Sequence, residues 1–165
     1  MKNTEERREI RSPLFRIEEE RMWNENMTRI DICGGSFPIR CDMVVLEKIQ
    51  EEFGDMLDFE FAIRGVVPYY DPDSGIRDAK RDKSTTPDVR KVCRSLFWMI
   101  AEGIEVSGEE LEPPSEKAIK QQQEMNIIDL ALACFKEYSQ CFLSRKGRSK
   151  ARKKDTSPNS TDQTG

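Results

Sequence analysis

Between Thr86 and Gly103 the chain carries a pattern that leaves little freedom in how its core is built. Val89, Val92, Cys93, Leu96, Phe97 and Ile100 fall at i, i+3, i+4, i+7, i+8 and i+11. That spacing gathers the apolar side chains on one face of a helix that turns once every 3.6 residues. Thr86-Pro87-Asp88 stands just before it and predicts the start, with Thr86 as the cap, Pro87 at the first helical position and an acid in the first turn. Gly103 reads as its end. Trp98 and Met99 widen the face at its flanks, so this helix needs cover on more than one side and the other elements must be laid around it.

Upstream, the period changes. From Thr28, Ile30 and Ile32 alternate with Arg29 and Asp31, Gly34-Gly35 supplies a turn, and Phe37 to Cys41 follows, which reads as a β-hairpin. Pro38 lies in the second strand and places it at an edge, because proline has no N–H to donate. Asp42 is a cap for a helix carrying Val45, Leu46, Ile49 and Phe53, and Gly54 is its stop. In residues 55–65, Leu57, Phe59, Phe61 and Ile63 alternate, so a third strand is expected there, with a short helix as the other reading. Residues 66–86 hold two prolines, a glycine and mixed charge without a sustained period; they read as one long loop, either a plain connection or a binding loop in which Tyr69 and Tyr70 make contact. After Pro113-Pro114, Ser115 caps a long helix expected to continue to about residue 143. Met125, Ile128, Leu132 and Phe135 form one row on it, and Ile127, Ala131, Cys134, Tyr138 and Cys141 a neighbouring one. Two adjacent rows make a stripe broader than one small domain readily covers.

The pattern therefore predicts an α+β fold, mainly helical, with an N-terminal β-hairpin packed on about three helices. Residues 1–27 are a charged extension, 28–143 the domain, and 144–165 a basic tail expected to be disordered. The extension reads as a loosely ordered leader or as an arm that docks on a partner, and translation starting at Met1 or at Met27 fits the pattern equally. From Ser144 onward there are seven Lys/Arg against two Asp, about +5, so the preceding 143 residues hold about −9 of the overall −4. An acidic body is joined to a basic tail.

Several classes of function lose their usual actors. The chain has no histidine, which is the commonest general base near neutral pH and the commonest transition-metal ligand. Its five cysteines form no C-x-x-C pair and lie in apolar or periodic stretches, the usage of reduced thiols packed as small hydrophobes in a cytoplasmic protein. Gly34-Gly35 is a turn without the surrounding pattern of a phosphate loop. Asp71-Pro72-Asp73-Ser74-Gly75 has oxygens at alternate positions, but counting from Asp71 a calcium loop would need glycine and glutamate where Ile76 and Asp82 stand. No enzyme and no cofactor is expected, no segment reads as a membrane span, and an intracellular interaction protein is the reading that survives.

With RIDICGGSFPIRCDMVVLEKIQEEFG followed by TPDVRKVCRSLFWMIAEGIEV and the last helix, the chain resembles the tail assembly chaperones of long-tailed bacteriophages and prophages over residues 28–143. Residues 1–26 and the long 66–86 loop depart from that pattern. The resemblance implies a non-enzymatic protein of the bacterial host cytoplasm that binds the tape measure protein and tail tube subunits while the tail is assembled, in a family where frameshifted longer products are common. The client surface expected on it comprises Phe97, Trp98, Ile128, Leu132 and Phe135. The alternative is a nucleic-acid-associated regulator using Arg145, Lys146, Arg148, Lys150, Arg152, Lys153 and Lys154, cations able to neutralise phosphates but with no aromatic between them on which a base would stack.

Overall fold

The computed structural model describes residues 27–143; the expectations for the N-terminal extension and the basic tail lie outside them. The fold is α+β and mainly helical. Strands β1 (Arg29–Ile32) and β2 (Gly35–Pro38) pair antiparallel with Ile32 opposite Gly35 and Arg29 opposite Pro38. The turn between them is Cys33-Gly34 rather than the glycine pair, with φ of 53° and 73°. Two positive φ values in a two-residue connection match the right-handed twist of the strands it joins. The second strand is also displaced from the expected Phe37–Cys41: it begins at Gly35 and ends at Pro38, where the chain turns onto a helix.

Helix α1 (Met43–Phe53) begins where expected, the Asp42 carboxylate accepting the N–H groups of Val44 and Val45, and stops at Gly54. The expected third strand is a helix. In α2 (Met56–Arg64), Asp55 caps the start and Gly65, at φ 66°, closes the end. Phe59 and Ile63, one turn apart, point into the core; Phe61 faces elsewhere and is buried because the Arg77 guanidinium lies 4.5 Å above its ring. Burial on two sides of a helix produced the alternation that reads as a strand.

Arg77 belongs to the segment expected to be one long loop, and that segment is folded. Strands β3 (Val66–Val67) and β4 (Lys83–Ser84) pair antiparallel, Tyr70 bridges Arg77, and a short 3₁₀ turn covers Ala79–Arg81. Asp82 accepts the Tyr69 N–H at 3.0 Å and pairs with Arg77, while Arg81 sits 3.9 Å over the Tyr69 ring. Asp71 closes the tip by accepting from the N–H groups of Asp73 and Ser74 and from the Ser74 hydroxyl. These donors hold its carboxyl below the usual carboxylate range.

Helix α3 (Val89–Ser107) is the axis of the domain and packs against α1, α2, β2 and the two helices that follow. Its cap is Asp88, accepting the Lys91 N–H at 3.0 Å, and not Thr86; Pro87 precedes the helix. It also runs through Gly103 to Gly108. Gly103 is there because β2 crosses at that point: a Cβ would lie 2.2 Å from the Pro38 carbonyl oxygen. The Arg40 N–H donates to the Met99 carbonyl at 3.0 Å beside the crossing.

The expected long C-terminal helix is two helices, α4 (Glu116–Gln121), capped by Ser115 as expected, and α5 (Ile127–Gln140). Gln122 breaks it. Its side-chain amide donates to the Met125 carbonyl at 2.7 Å and accepts the Met125 N–H at 2.9 Å, substituting for helical bonds, and Asn126 then caps α5 by accepting the Asp129 N–H. Glu124 in this connection accepts the Gly34 N–H at 2.9 Å and so ties the hairpin turn to it. No described helix is long and apolar enough to cross a membrane.

Candidate functional site

Apolar surface that a fold has covered and apolar surface it has left open are separated on α5. Leu130, Ala131, Cys134 and Tyr138 are buried against α2 and α3. A quarter-turn away, Ile128 is 59% exposed and Leu132 52%, one helical turn apart. Phe135 continues the row at i+3 from Leu132, half-covered by the Arg64 guanidinium 5.2 Å above its ring. Cations over aromatic faces are attracted by the ring quadrupole, so this contact keeps one side of Phe135 occupied while its row remains at the surface.

The other two expected contact residues are held differently. Trp98 packs 6.0 Å from Phe53 at the end of α1. Phe53 stacks on Phe59 at 5.7 Å, Phe59 meets Tyr138 at 5.4 Å, and Tyr138 meets Phe142 edge-on at 5.0 Å. A run of aromatics therefore passes through the domain from α3 to the end of α5, and Trp98 is its first member. Phe97 is half-buried against the core. The structure thus places Ile128, Leu132 and Phe135 in one row, of which Ile128 and Leu132 are exposed, while Phe135, like Phe97 and Trp98, is half-buried against the core. The basic residues from Arg145 to Lys154 lie outside the described residues.

At the N-terminal end of α5 a groove of about 720 Å³ opens between β1 and the helix, with Ile30 and Ile32 on one side and Met125 and Ala133 on the other. Charge around it comes from both walls: Arg29 pairs with Glu109 at 2.6 Å, and Glu124 sits over the hairpin turn. The hydrogen bonds from its own N–H, Gly34, Gln123 and Cys33 keep the Glu124 carboxyl below its ordinary range. The groove was not read from the sequence, because it depends on the break at Gln122 that sets α5 apart from α4.

Among the described residues no group of three or more His, Cys, Asp or Glu side chains is placed to hold a metal ion. All five cysteines are free, with Cys41, Cys93 and Cys134 buried and Cys33 and Cys141 half-buried. No family model, no curated protein and no solved structure matches the chain. The strip on α5 and the groove beside it are accordingly characterised by their own chemistry: an apolar helical row of i, i+4, i+7 spacing, flanked by Asp129 and Lys136, both exposed. Such a row is what an amphipathic helix of a partner lays its own apolar face against.

Proposed function

We propose that this chain is a non-enzymatic tail assembly chaperone of a long-tailed bacteriophage or prophage, which binds the tape measure protein, and tail tube subunits, while the tail is built. The observation that carries the reading is the open row on α5, where Ile128 and Leu132 stay more than half exposed on a helix whose other apolar row is buried. A long, apolar, helical client must be kept from associating with itself, and this row offers it a substitute partner. Fully burying a leucine or isoleucine is worth roughly 1.5–3 kcal/mol. Covering two half-exposed ones contributes about 2 kcal/mol, a change in dissociation constant of roughly 30-fold. The acidic balance of the body keeps the complex soluble.

The test is co-purification with the product of a long tape-measure-like reading frame beside the gene. Wild-type chain is expected to bring it down, and Leu132→Asp to lose it while its far-UV circular dichroism stays at the wild-type level. Retained binding by the folded variant would overturn the site; failure of the wild-type chain to bind would overturn the function.

A further inference from the structure

We propose that the outer edge of β1 is a self-association surface, on which a second copy of this chain lays its own β1 antiparallel about a two-fold axis through Ile30. This goes beyond the chaperone reading and does not rest on it.

The hairpin uses one edge of β1. The Ile39 N–H donates to the Thr28 carbonyl at 2.8 Å, and Ile30 stands opposite Phe37 and Ile32 opposite Gly35. In an antiparallel ladder alternate residues bond to the same neighbour, so Thr28, Ile30 and Ile32 face β2, and the N–H and C=O groups of Arg29 and Asp31 point the other way. Pro38 opposite Arg29 agrees with this, because that pair exchanges no hydrogen bond and no N–H is needed there. Among the described residues no third strand lies beside β1. The groove between β1 and α5 opens along this edge, with Glu124 bound to the hairpin turn at one end of it.

Open strand edges are commonly guarded by charge, since a row of one sign repels a second copy. This edge carries the reverse device. Arg29 and Asp31, both exposed, have opposite signs and alternate with Ile30 and Ile32. A two-fold axis through Ile30 sets Arg29 of each chain opposite Asp31 of the other, which gives cross-strand ion pairs on the solvent face. The same register makes these the hydrogen-bonded pairs of the new ladder, so the outward N–H and C=O groups of both residues are all used. Sliding the strands by two residues either way would set Arg29 against Arg29 or Asp31 against Asp31, and charge therefore selects one register.

The side chains are prepared for this. Arg29 donates four hydrogen bonds, to the Ser36 hydroxyl and carbonyl and to both Glu109 carboxylate oxygens; a guanidinium has five donors, so one remains. Asp31 makes no ion pair among the described residues. An extended peptide of another protein would use the same backbone groups, but the order Arg29-Ile30-Asp31 is its own complement and matches a second copy without further help. Ile128 and Leu132 do not line the groove and stay open in such a dimer. Strands this short make a small contact, of the weak and concentration-dependent class.

Sedimentation velocity of the full chain over a concentration series, with amide hydrogen exchange followed by NMR, tests this. The wild-type chain is expected to pass from monomer to dimer as concentration rises, with the Arg29 and Asp31 N–H groups exchanging slowly in the dimer alone. Asp31→Pro removes an N–H that the hairpin does not use, and is expected to keep the wild-type circular dichroism while weakening the dimer roughly 10- to 100-fold. Asp31→Lys and Arg29→Glu each set like charges across the axis; each is expected to stay monomeric alone, and the two to form a one-to-one dimer when mixed. A wild-type chain that is monomeric at every concentration overturns the proposal: slow exchange at Arg29 and Asp31 in that monomer would show the edge covered by the chain itself, and fast exchange an edge left to an extended partner. A dimer indifferent to Asp31→Pro, or folded charge-swapped chains that fail to pair when mixed, overturns it as well.

Discussion

Helices α3 and α5 carry the same kind of pattern, two adjacent apolar rows on a polar background, and the fold treats them oppositely. Around α3, Val92, Cys93, Leu96, Met99 and Ile100 are all buried, because α1, α2, α4, α5 and β2 enclose its apolar arc. Among the described residues α5 packs mainly against α2 and α3, and the row led by Ile128 and Leu132 is left over. The difference lies in position and not in composition. A helix in the centre can bury any apolar side chain on its arc; one at the periphery buries the row facing inward and presents the other to whatever comes. Ion pairs reinforce the enclosure of α3: Arg94 reaches Glu52 on α1 at 2.8 Å and Glu116 on α4 at 3.0 Å. Such partly exposed pairs each add little, of order 0–1 kcal/mol, and the burial is what dominates.

The comparison breaks most completely where α3 touches β2. Gly103→Ala places a methyl group against the Pro38 backbone, which has no flexible end to move aside. The hairpin and α3 must separate, and a loss of about 3 kcal/mol or more is expected, read as a fall in the denaturation midpoint. If the variant melts as wild type, β2 does not seat on α3 as described.

The inner row of α5 should behave like α3. Leu130 is 4% exposed, and Leu130→Ala is expected to cost about 2–5 kcal/mol through lost burial and the cavity left behind. Thermal or denaturant unfolding checks it. A cost under 1 kcal/mol would mean that α5 is only loosely docked and that both of its rows are open.

Much of this arrangement is legible in the sequence, and the failures share a cause. The hairpin, α1 between Asp42 and Gly54, and the Ser115 cap are written in local signals that need no partner. Residues 55–65 misread because Phe61 is buried by Arg77, sixteen positions later, so a helix covered on two sides alternates like a strand. The Asp55 cap and Gly65 were the local signs of that helix. Gly103 misread as an end because glycine serves two purposes, a left-handed terminus and a close approach, and only the neighbouring strand distinguishes them. The division of α4 from α5 turns on a glutamine side chain imitating backbone, with Asn126 as the one visible clue. Of the expected contact surface, the row on α5 was readable as excess apolar width; that Trp98 is engaged with Phe53 was not, since both residues are apolar in any arrangement.

A smaller effect separates enclosure from satisfaction. Ser95 on α3 is fully buried, and its hydroxyl meets no hydrogen-bond partner among the described residues. Leaving such a group dry costs about 1–3 kcal/mol. Ser95→Ala removes the group while keeping nearly the same volume and favours the helix, so it is expected to raise stability by about 1 kcal/mol. A loss of stability instead would show that the hydroxyl has a partner and that the core around α3 is wetter than its burial implies.

The smallest expected change is the most telling for the open row. Leu132 lies two positions from Leu130 on the same helix, yet it is 52% exposed, and Leu132→Ala in the isolated chain should alter stability by no more than about 0.5 kcal/mol. Alanine is also the better helix former, which offsets part of the lost contact. Set beside Leu130→Ala, the same deletion at neighbouring positions then differs several-fold in cost, and the residue that costs little to remove is one the fold itself does not use. If Leu132→Ala destabilises as strongly as Leu130→Ala, the row is covered in solution, for instance by another copy of the chain, and the surface assigned to a client is already occupied.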